Sequence, residues 1–585
     1  MTTTLKRNSK LINRKFITYL IPSILMIFAM QFGSLVDGIL IGNYLGPTAL
    51  SASSLVMPIL YIVQIPGFAL GIGGAIVVAT LLGKRDVIGA KKAYSFSIIV
   101  GMSISILFAL IAFPVAEPLA SLFGGDTELC RQYILGFLLT DPIITYALLI
   151  GSFMAVDNSP KLSSVFYIVS NAAKVGLEVL LITVMKDSGY GMLGAALSTG
   201  AGYLVGAIVT IFYLTSKKKM LTLTFNIRNS GAKSIFKATS ASAINMFLTA
   251  IQMLIVNIFI GKLFTGDELV LYGLISNMVF LFDLLCGGVL NIIPNLCGIF
   301  YGEKDYYSLK SVTRKIYWIN IGITVLISLF VLIFPGAYCA IFGADYSGDI
   351  ATINSVLWVY LISFIPYEIN KFSTNYYPTI DKTVPSMVTV FLRELIIVLP
   401  LTLVLLHTNG LMGYCMACWI NEVATVIIVY IFIHFYNKRK KCSGIFMLEK
   451  LDVESFDVSL DNNEQNASIV SEQITEFAKS HNIPNRESQI VGLAAEEMVD
   501  NIINHGYKKK SHDYIDINLK LFKDTLLLRI RDDGVPFDPT KVEFDEKEEY
   551  STSGLKLIKN ITDKMTYMRI LNLNNTVFEI KLKGE

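Results

Sequence analysis

Residues 35–46 read Leu-Val-Asp-Gly-Ile-Leu-Ile-Gly-Asn-Tyr-Leu-Gly, an apolar run that carries a single carboxylate, Asp37. The whole chain shares this character: hydrophobic residues make up 53% of its 585 residues, charged residues only 16%, and the mean hydropathy is +0.56. Soluble domains carry about 25% charged residues, so most of this chain is predicted to lie in a lipid bilayer. The composition excludes a secreted disulfide scaffold, a collagen and a disordered chain. Because an ion in hydrocarbon costs on the order of several kcal/mol, Asp37 is a candidate functional residue.

Twelve apolar stretches are each long enough to cross a bilayer, which requires about 20 residues. Their predicted bounds are 16–43, 51–80, 93–115, 132–155, 163–185, 192–215, 235–264, 268–300, 314–342, 351–377, 384–407 and 411–436. We therefore expect an α-helical polytopic membrane protein. The predicted organisation is an N-terminus at 1–15, a six-helix lobe at 16–215, a basic loop at 216–234 and a second lobe at 235–436.

Lysine and arginine gather in the loops on one side of this predicted membrane domain. They include Lys6, Arg7, Lys10, Arg14, Lys15, Lys84, Arg85, Lys91, Lys92, Lys217 to Lys219, Lys304, Lys310, Arg314, Lys315 and Lys438 to Lys441. Positively charged loops stay on the cytoplasmic side, so both termini are predicted to be cytoplasmic, in a multi-pass protein of the cell (inner) membrane. An even number of spans satisfies that orientation, and twelve is even.

The two predicted lobes share landmarks at a constant offset of 219 residues. The matched landmarks are Gly42 with Gly261, Gly83 to Asp86 with Gly302 to Asp305, Phe123-Gly124 and Asp126 with Phe342-Gly343 and Asp345, and Gly191 to Gly194 with Gly410 to Gly413. A fixed period over this length indicates a duplication. Six helices per repeat give both halves the same orientation, and transporters of this kind bind substrate between the halves.

These residues resemble the multidrug and toxic-compound extrusion (MATE) transporters over about residues 10–440. Leu35 to Gly42 is similar to the family's first-helix motif, and Gly83 to Asp86 to its loop after helix 2. Asn171 to Glu178, with Gly194 to Thr199, is similar to its helix 5–6 signature. The resemblance implies an antiporter that is embedded in the bilayer. It would export small organic cations or drugs from the cell in exchange for H⁺ or Na⁺.

The resemblance also implies a coupling site made of Asp37, Glu178 and Thr199 in the first lobe. Glu178 stands where the family usually has Asp, and Lys174 where it usually has Asn. An ammonium at position 174 can itself fill the cation position, which favours protons over sodium. Lys174 and Glu178 are four residues apart and share one helix face, so a buried structural ion pair is the alternative interpretation.

The second lobe contains its own charged residues inside or near the predicted spans. The candidates for lining its cavity are Asp283, Glu368, Arg393 and Glu394, with Lys371 and Glu422 nearby. Neighbours in sequence point to different helix faces, so we expect Arg393 and Glu394 to find separate partners. Glu368 and Lys371, three residues apart, are expected to pair with each other.

The chain changes character after Lys441. Residues 1–455 hold 32 Lys and Arg against 23 Asp and Glu, whereas residues 456–585 hold 17 against 23, which indicates a soluble acidic domain. Residues 437–455 are interpreted as a juxtamembrane linker, and 456–585 as an α/β sandwich. Helices are predicted at 465–482, 486–504 and 553–562, and strands at 513–522, 525–531, 565–571 and 576–582.

Three polar clusters in this domain carry chemistry. They are Glu496 to Asn501 with His505-Gly506-Tyr507, Arg531 to Pro539, and Ser551 to Lys556. Glu497 and Asn501 share a helix face, a pattern that suits a polarised water and a magnesium ligand. The third cluster precedes a helix, whose N-terminus favours phosphate.

The order of the clusters resembles the N, G1 and G2 boxes of the GHKL ATPase fold, and most of all the anti-sigma-factor serine kinases. The resemblance implies that the domain binds ATP with Mg²⁺. Glu497 would be the general base, Asn501 the magnesium ligand and Asp532 the adenine-binding carboxylate. Gly534 and Gly554 would let the chain approach the nucleotide. Lys556 stands where a second glycine is usual. Its side chain would either contact phosphate or obstruct the lid that closes over the nucleotide in this fold.

Two functions follow from these residues. The first is an ion-coupled, preferentially proton-coupled, multidrug antiporter with a cytoplasmic ATP-binding regulatory domain. The alternative is a membrane sensor whose C-terminal domain phosphorylates Ser or Thr on a cytoplasmic signalling protein. No nucleic-acid partner is expected, because topology explains the basic loops.

Overall fold

The computed structural model describes residues 5–582, except 123–125, 217–218, 265–266, 342–349, 441, 450–452, 464, 508–513 and 543–552. It contains two compact units. One consists of residues 18–440 with 444–447, and the other of residues up to Ile17 with 441–443 and 448 onward. The grouping of the N-terminal residues with the C-terminal domain differs from the separate N-terminus that the sequence predicts, because hydrogen bonds and ion pairs join residues 6–15 to its sheet.

The first six-helix lobe is built from eight helices. They are α1 (Lys10–Leu45), α2 (Pro47–Val63), α3 (Ile65–Gly83), α4 (Val87–Leu110), α5 (Ala112–Ala120), α6 (Thr127–Val156), α7 (Pro160–Lys186) and α8 (Gly191–Leu214). The span predicted at 51–80 is interrupted between α2 and α3 at Gln64. Pro66 lies in the first turn of α3, where its missing N–H leaves no helical hydrogen bond unmade.

The second lobe repeats this plan with two π-helical turns. Its helices are α9 (Ala232–Leu263), α10 (Asp267–Leu290), a π-turn (Ile293–Cys297), α11 (Gly298–Gly302), α12 (Tyr306–Ile333), α13 (Pro335–Ile341), α14 (Ile350–Ile362), α15 (Phe364–Thr379), α16 (Thr383–Phe391), a second π-turn (Leu392–Ile396) and α17 (Val398–Lys440).

Among the described residues, eleven helical stretches are long and apolar enough to cross a membrane. The last of them, Thr383–Arg439, has 57 residues. At 1.5 Å per residue it would measure about 85 Å, far more than the roughly 30 Å of a bilayer core. It is broken at Gly410, whose backbone angles (φ 60°, ψ −145°) are accessible to glycine and unfavourable for other residues. This stretch therefore supplies two spans, which agrees with the predicted twelve.

The structure reproduces the clearest landmark of the repeat. Asp86 caps α4 by accepting a hydrogen bond from the Gly89 amide at 2.7 Å, and Asp305 caps α12 through the Ser308 amide at 3.1 Å. The preceding residues, Arg85 and Lys304, both adopt positive φ. The landmark that pairs Phe123-Gly124 with Phe342-Gly343 and Asp345 lies outside the described residues.

Small residues bring the two lobes together. A Cβ on Gly83 would lie 3.0 Å from the Cα of Gly302, and a Cβ on Gly288 would lie 2.5 Å from the Cα of Ile24. Close backbone approach through small residues is the usual way in which membrane helices associate, because lipid is as apolar as the side chains. These glycines therefore hold the crossing helices of the two lobes in contact.

The C-terminal unit is an antiparallel sheet with helices packed on one face. Its elements are β1 (Cys442–Ser443), β2 (Leu448–Glu449), β3 (Glu454–Asp461), α18 (Gln465–Ser480), α19 (Asn485–Asn501), a π-turn (Ile502–Gly506), β4 (Tyr514–Leu521), β5 (Thr525–Asp532), a 3₁₀ turn (Pro539–Lys541), α20 (Ser553–Ile561), β6 (Lys564–Ile570) and β7 (Leu573–Lys581). The five-stranded sheet has the order β3-β4-β5-β7-β6, and β1 pairs with β2.

Strand β3 is absent from the sequence prediction, which treats 437–455 as a linker and begins the domain with a helix. Its alternation of Phe456, Val458 and Leu460 with polar residues is a strand pattern. Those three residues pack in one core with the buried faces of α18, α19 and β4. The prediction missed the strand because its first residues are polar.

Candidate functional sites

In the first lobe, Asp37 and Lys174 form a buried ion pair. The Lys174 Nζ lies 3.1 Å from the Asp37 Oδ1, and both side chains are about nine-tenths buried. Asp37 is on α1 and Lys174 on α7, so the pair joins two helices far apart in sequence. Because an unpaired charge is costly in this environment, the pair satisfies both groups.

Lys174 and Glu178 lie on one buried stripe of α7, as their spacing predicts, together with Ser170 and Ile182. Glu178 is fully buried and interacts electrostatically with both Asp37 and Lys174. The site thus contains two carboxylates and one ammonium.

Glycines on α8 allow this arrangement to pack. A Cβ on Gly202 would lie 2.6 Å from the Lys174 Cβ, and one on Gly206 would lie 1.8 Å from the Ser170 Oγ. The backbone of α8 therefore passes directly over the charged stripe of α7. Thr199, one turn before Gly202, is buried, and its hydroxyl has no hydrogen-bond partner among the described residues. The structure thus brings Asp37, Lys174 and Glu178 together and leaves Thr199 outside their hydrogen bonds.

Tyr133 is a member of this site that the sequence analysis missed. Its hydroxyl lies 3.4 Å from the Asp37 Oδ2, and the side chain is 1% exposed. Tyr133 lies on α6 in a stretch that reads as ordinary apolar helix, so no local pattern marks it.

The second lobe holds a larger network than the sequence predicts. Lys371 forms an ion pair with Asp283 on α10, and Glu368 accepts a hydrogen bond from Asn320 on α12 at 2.8 Å. The expected Glu368–Lys371 pair is therefore wrong. Each of the two residues has a closer partner on a neighbouring helix, which the spacing along α15 does not reveal.

Arg393 anchors the other half of this network. Its Nε donates to the Glu422 Oε1 at 2.8 Å, and its Nη1 lies 3.4 Å from the Glu394 Oε1. Arg393 thus finds the separate partner that the sequence predicts, Glu422, although its guanidinium also lies close to Glu394. Arg393 and Glu394 both lie in the π-turn at 392–396, where the ordinary α-helical angle between neighbours does not hold.

Neutral groups complete the network, and sequence reasoning found none of them. Asn370 donates to the second oxygen of Glu422 at 2.7 Å. The ring of Tyr367 lies 4.4 Å from the Arg393 guanidinium and 5.3 Å from the Lys371 ammonium. The network thus combines four carboxylates, two cations, amides and one aromatic ring.

The two lobes place a buried cation at the same repeat position. Arg393 follows Lys174 by 219 residues, the offset of the sequence repeat. Both side chains lie among buried carboxylates, on helices that correspond within the duplication. Both repeats of this chain therefore carry a buried cation at this position.

In the C-terminal unit, Glu497 and Asn501 lie on the last turns of α19. The Asn501 Nδ2 donates to the Glu497 carbonyl at 2.7 Å, which leaves the amide oxygen for another ligand. Burial, followed by repulsion from Asp500 and Glu496, raises the pKa of Glu497. Within the described ranges, no group of three or more His, Cys, Asp or Glu side chains forms a metal site. An amide oxygen that shares a magnesium ion with phosphate oxygens fits this donor set.

The three polar clusters converge. A Cβ on Gly554 would lie 1.8 Å from the Glu497 Oε2, so the start of α20 lies directly against this carboxylate. A Cβ on Gly534 would lie 2.5 Å from the Gly506 carbonyl, which accepts a hydrogen bond from the Val535 amide at 2.8 Å. Lys556 is exposed on α20, and Ser551 and Thr552 lie outside the described residues.

Asp532 is buried at the end of β5. Its Oδ1 accepts hydrogen bonds from the Gly534 amide and from the Asn574 Nδ2, both at 2.8 Å. Burial raises the pKa of Asp532 to about 6. Tyr567 and Arg569 in turn donate to the Asn574 Oδ1, so the amide is held in one orientation. Sequence reasoning missed Asn574. The pairing register of β5 with β7 places it opposite Asp532.

The comparisons with known proteins agree with this architecture. The MatE family model matches residues 22–180 and 241–404, two segments that begin 219 residues apart, and the histidine kinase-like ATPase domain model matches residues 460–578. A multidrug export protein MepA of Staphylococcus aureus is 22% identical over 396 residues, covering 65% of this chain and 85% of that protein. MepA of Staphylococcus haemolyticus is 24% identical, but the match covers 49% of this chain and 64% of that protein.

Solved structures show the same fold for the membrane domain. A MOP superfamily transporter from Pyrococcus furiosus superposes with a TM-score of 0.65 at 17% identity, covering 73% of this chain and 96% of that one. A mutant of the Vibrio cholerae MATE transporter VcmN gives a TM-score of 0.65 at 16% identity, covering 74% and 98%. With two MatE segments across more than half of its length, this chain belongs to the MATE family of multidrug transporters and carries a histidine kinase-like ATPase domain after the second lobe.

Proposed function

We propose that the chain exports bulky organic cations or drugs in exchange for protons, and that the cytoplasmic C-terminal domain binds ATP and regulates the transporter. The observation that carries the first part is the buried Asp37–Lys174 pair with Glu178 beside it. Basic loops orient both termini towards the cytoplasm. Export from the cell would then run across the cell (inner) membrane.

The charge balance of the first lobe explains how it exchanges ions. With both carboxylates ionised, Asp37, Glu178 and Lys174 carry a net charge of −1, which attracts a cation. One added proton on Asp37 brings the net charge to zero, and Lys174 is then free to pair with Glu178. With the organic cation bound in the first state, or the proton bound in the second, the charges of this lobe balance, which keeps the cost of the exchange low. A proton and an organic cation therefore compete for this lobe.

Lys174 also argues against sodium as the coupling ion. Its ammonium already lies 3.1 Å from an oxygen of Asp37, within the space that a sodium ion would need for its own oxygen ligands. A proton requires no such space. Sodium coupling is the alternative, in which Lys174 must leave Asp37 first.

The second lobe would hold the substrate's charge without exchanging protons. Its four carboxylates outnumber Lys371 and Arg393 by two, which favours a cationic substrate nearby. Asp283 and Glu368 are the candidates for that contact. Arg393, Glu394 and Glu422 are engaged with each other and with Asn370, so they keep the helices in place.

Transport into proteoliposomes tests the coupling ion. A fluorescent organic cation is loaded, and its exchange is followed under a pH gradient or a sodium gradient with the other ion balanced. We expect transport that follows the pH gradient and is unaffected by sodium. Transport that requires sodium at fixed pH, without any dependence on a pH gradient, would contradict the proposal.

The ATP-binding part rests on the convergence of Glu497, Asn501, Asp532, Gly534 and Gly554. Asp532 would accept the adenine amino group, and Asn501 would hold Mg²⁺ against the phosphates, where the ion would neutralise part of their charge. Calorimetry on the full chain in detergent tests this. We expect ATP binding that depends on magnesium, with Asn501→Ala removing the magnesium dependence. No detectable binding would indicate an interaction domain instead.

A serine/threonine kinase activity is the second candidate function. It is favoured by the raised pKa of Glu497, because a general base works best when its pKa approaches the working pH. Glu497→Ala should then leave ATP binding intact and abolish transfer of the γ-phosphoryl group to a partner protein. Radiolabelled ATP and a cytoplasmic extract distinguish this sensor function from pure regulation of transport.

A further inference from the structure

A segment that the proposed function does not use, residues 5–17, belongs to the same compact unit as the ATPase-like domain. It contains five basic residues: Lys6, Arg7, Lys10, Arg14 and Lys15. Topology alone would explain these charges as cytoplasmic flanks of the first span. Their contacts in the structure are more specific than that.

The segment begins at the edge of the sheet. The Asn8 amide donates to the Ser459 Oγ at 3.1 Å, and the Ser459 amide donates to the Lys6 carbonyl at 3.4 Å. Ser459 lies in β3, and within the described ranges no strand pairs with the outer edge of β3. Leu5 packs against the hydrophobic core of the domain.

Arg7 is the buried anchor. Its Nη1 lies 2.8 Å from the Asp516 Oδ1, and the two side chains are only 6% and 3% exposed. Asp516 also receives the Ser459 hydroxyl at 2.7 Å. A buried charge of this kind requires a partner, and Arg7 provides one from outside the sheet.

The segment ends beside the candidate nucleotide site. Arg14 and Lys15 place their cationic atoms 3.3 and 3.7 Å from the Asp533 Oδ2, and the Lys15 Nζ donates to the Asn572 carbonyl at 3.4 Å. Asp533 directly follows Asp532, so the two carboxylates project to opposite faces of the sheet. Asp532 faces the side of the helices, and Asp533 the side of the basic segment.

We propose that the face of this sheet opposite its helices is a docking site for the chain's own basic segment 5–17, and that nucleotide binding strengthens the docking. This rests on the proposed ATP site. An adenine hydrogen bond keeps Asp532 ionised, and the phosphates add negative charge, so both strengthen the attraction for Arg14 and Lys15. Because coupling between two sites is reciprocal, docking must strengthen nucleotide binding by the same factor. From Lys10 onward the segment is the first part of α1, the helix that carries Asp37.

Hydrogen exchange on the full chain in nanodiscs, without nucleotide, tests the docking. We expect the amides of residues 5–9 to be protected in the wild type, unprotected in Arg7→Gln, and protected again in the conservative Arg7→Lys. Lys6→Gln is the matched control, because it removes one positive charge from an exposed side chain beside Arg7. Equal exchange in wild type and Arg7→Gln, with the β4 amides still protected in both, would overturn the docking.

Nucleotide titration of the same samples tests the linkage. Saturating ATP with magnesium should slow exchange at residues 5–9. Arg14→Gln with Lys15→Gln should lower ATP affinity by about fivefold, at the low end of allosteric couplings, since Arg14 is 61% exposed and solvent screens its charge. Unchanged affinity, or faster exchange with ATP, would overturn the linkage. If the wild type binds no nucleotide, the proposed ATP site fails, while the docking result without nucleotide is unaffected.

Discussion

The two lobes of the membrane domain place a buried cation at the same repeat position and surround it differently. Lys174 has two carboxylates near it, and one of them, Asp37, also lies within 3.4 Å of the Tyr133 hydroxyl. Arg393 also has two carboxylates near it, but Asn370 donates to one of them, Glu422, and the Tyr367 ring lies against the guanidinium itself. A sparse group of charges can change partners when a proton arrives, whereas a larger hydrogen-bonded network resists change. We therefore expect ion exchange at the first lobe and a structural role for the network of the second.

The largest effect is expected from Asp37→Asn, which removes the exchangeable carboxylate. Efflux of a cationic dye from cells expressing the variant should fall by at least about a hundredfold, because the first lobe then stays at a net charge of zero and cannot alternate between binding a proton and binding the cation. Asp187→Asn, at an exposed position after α7, is the matched control and should export normally. Normal export by Asp37→Asn, with wild-type amounts in the membrane, would break the comparison.

Arg393→Gln should unfold the second lobe more readily without changing which ion drives transport. It leaves Glu422 and Glu394 without their cation, and removing one member of a buried pair costs about 3–5 kcal/mol. Thermal unfolding in detergent should show the loss. The residual transport should still follow the pH gradient. A stable Arg393→Gln protein that has lost proton coupling would assign the exchange to the second lobe instead.

The soluble domain also contains a buried carboxylate, Asp532, which accepts its hydrogen bonds from neutral donors. Asp532→Ala should weaken ATP binding by about five- to a hundredfold, because an adenine donor left unpaired costs about 1–3 kcal/mol. Calorimetry measures this affinity. Asp524→Ala, at an exposed position in the turn between β4 and β5, is the control. Equal affinity in the Asp532 variant and the wild type would show that the base is recognised elsewhere.

The pH dependence of the same affinity follows from the raised pKa of Asp532, about 6. Above this pH the group is ionised and accepts the adenine hydrogen bond. Below it the group is protonated and accepts more weakly. Affinity should therefore be constant from pH 8 to 7 (about one to two units above the pKa) and fall as the pH drops through about 6. Asp532→Ala should abolish the fall; a fall that persists in that variant would place the titrating group elsewhere.

The smallest effect is expected from Tyr367→Leu, which removes the ring between Lys371 and Arg393. Cation–π contacts contribute about 0.5–2 kcal/mol, and the thermal stability should fall correspondingly. Tyr367→Phe keeps the ring face and should match the wild type. Equal losses in both variants would mean that the hydroxyl, and not the ring, stabilises this lobe.

The sequence by itself determined much of this protein. Hydropathy and the duplication predicted twelve spans in two lobes, and the spacing of Lys174 and Glu178 predicted one buried face of α7. In the C-terminal domain, three ordered clusters predicted a histidine kinase-like ATPase fold. These features are periodic or local, so they can be read along the chain. Strand β3 was missed because its first residues are polar, and the break between α2 and α3 because both helices are apolar.

Only the tertiary structure decided which charges meet. Lys371 pairs with Asp283 across 88 residues and Asn574 reaches Asp532 across 42, although Glu368 stands only three positions from Lys371. Arg7 joins Asp516 from the other end of the chain. A buried charge takes the partner that packing brings within about 3 Å, since the free energy of pairing depends on distance in space and not on separation in sequence.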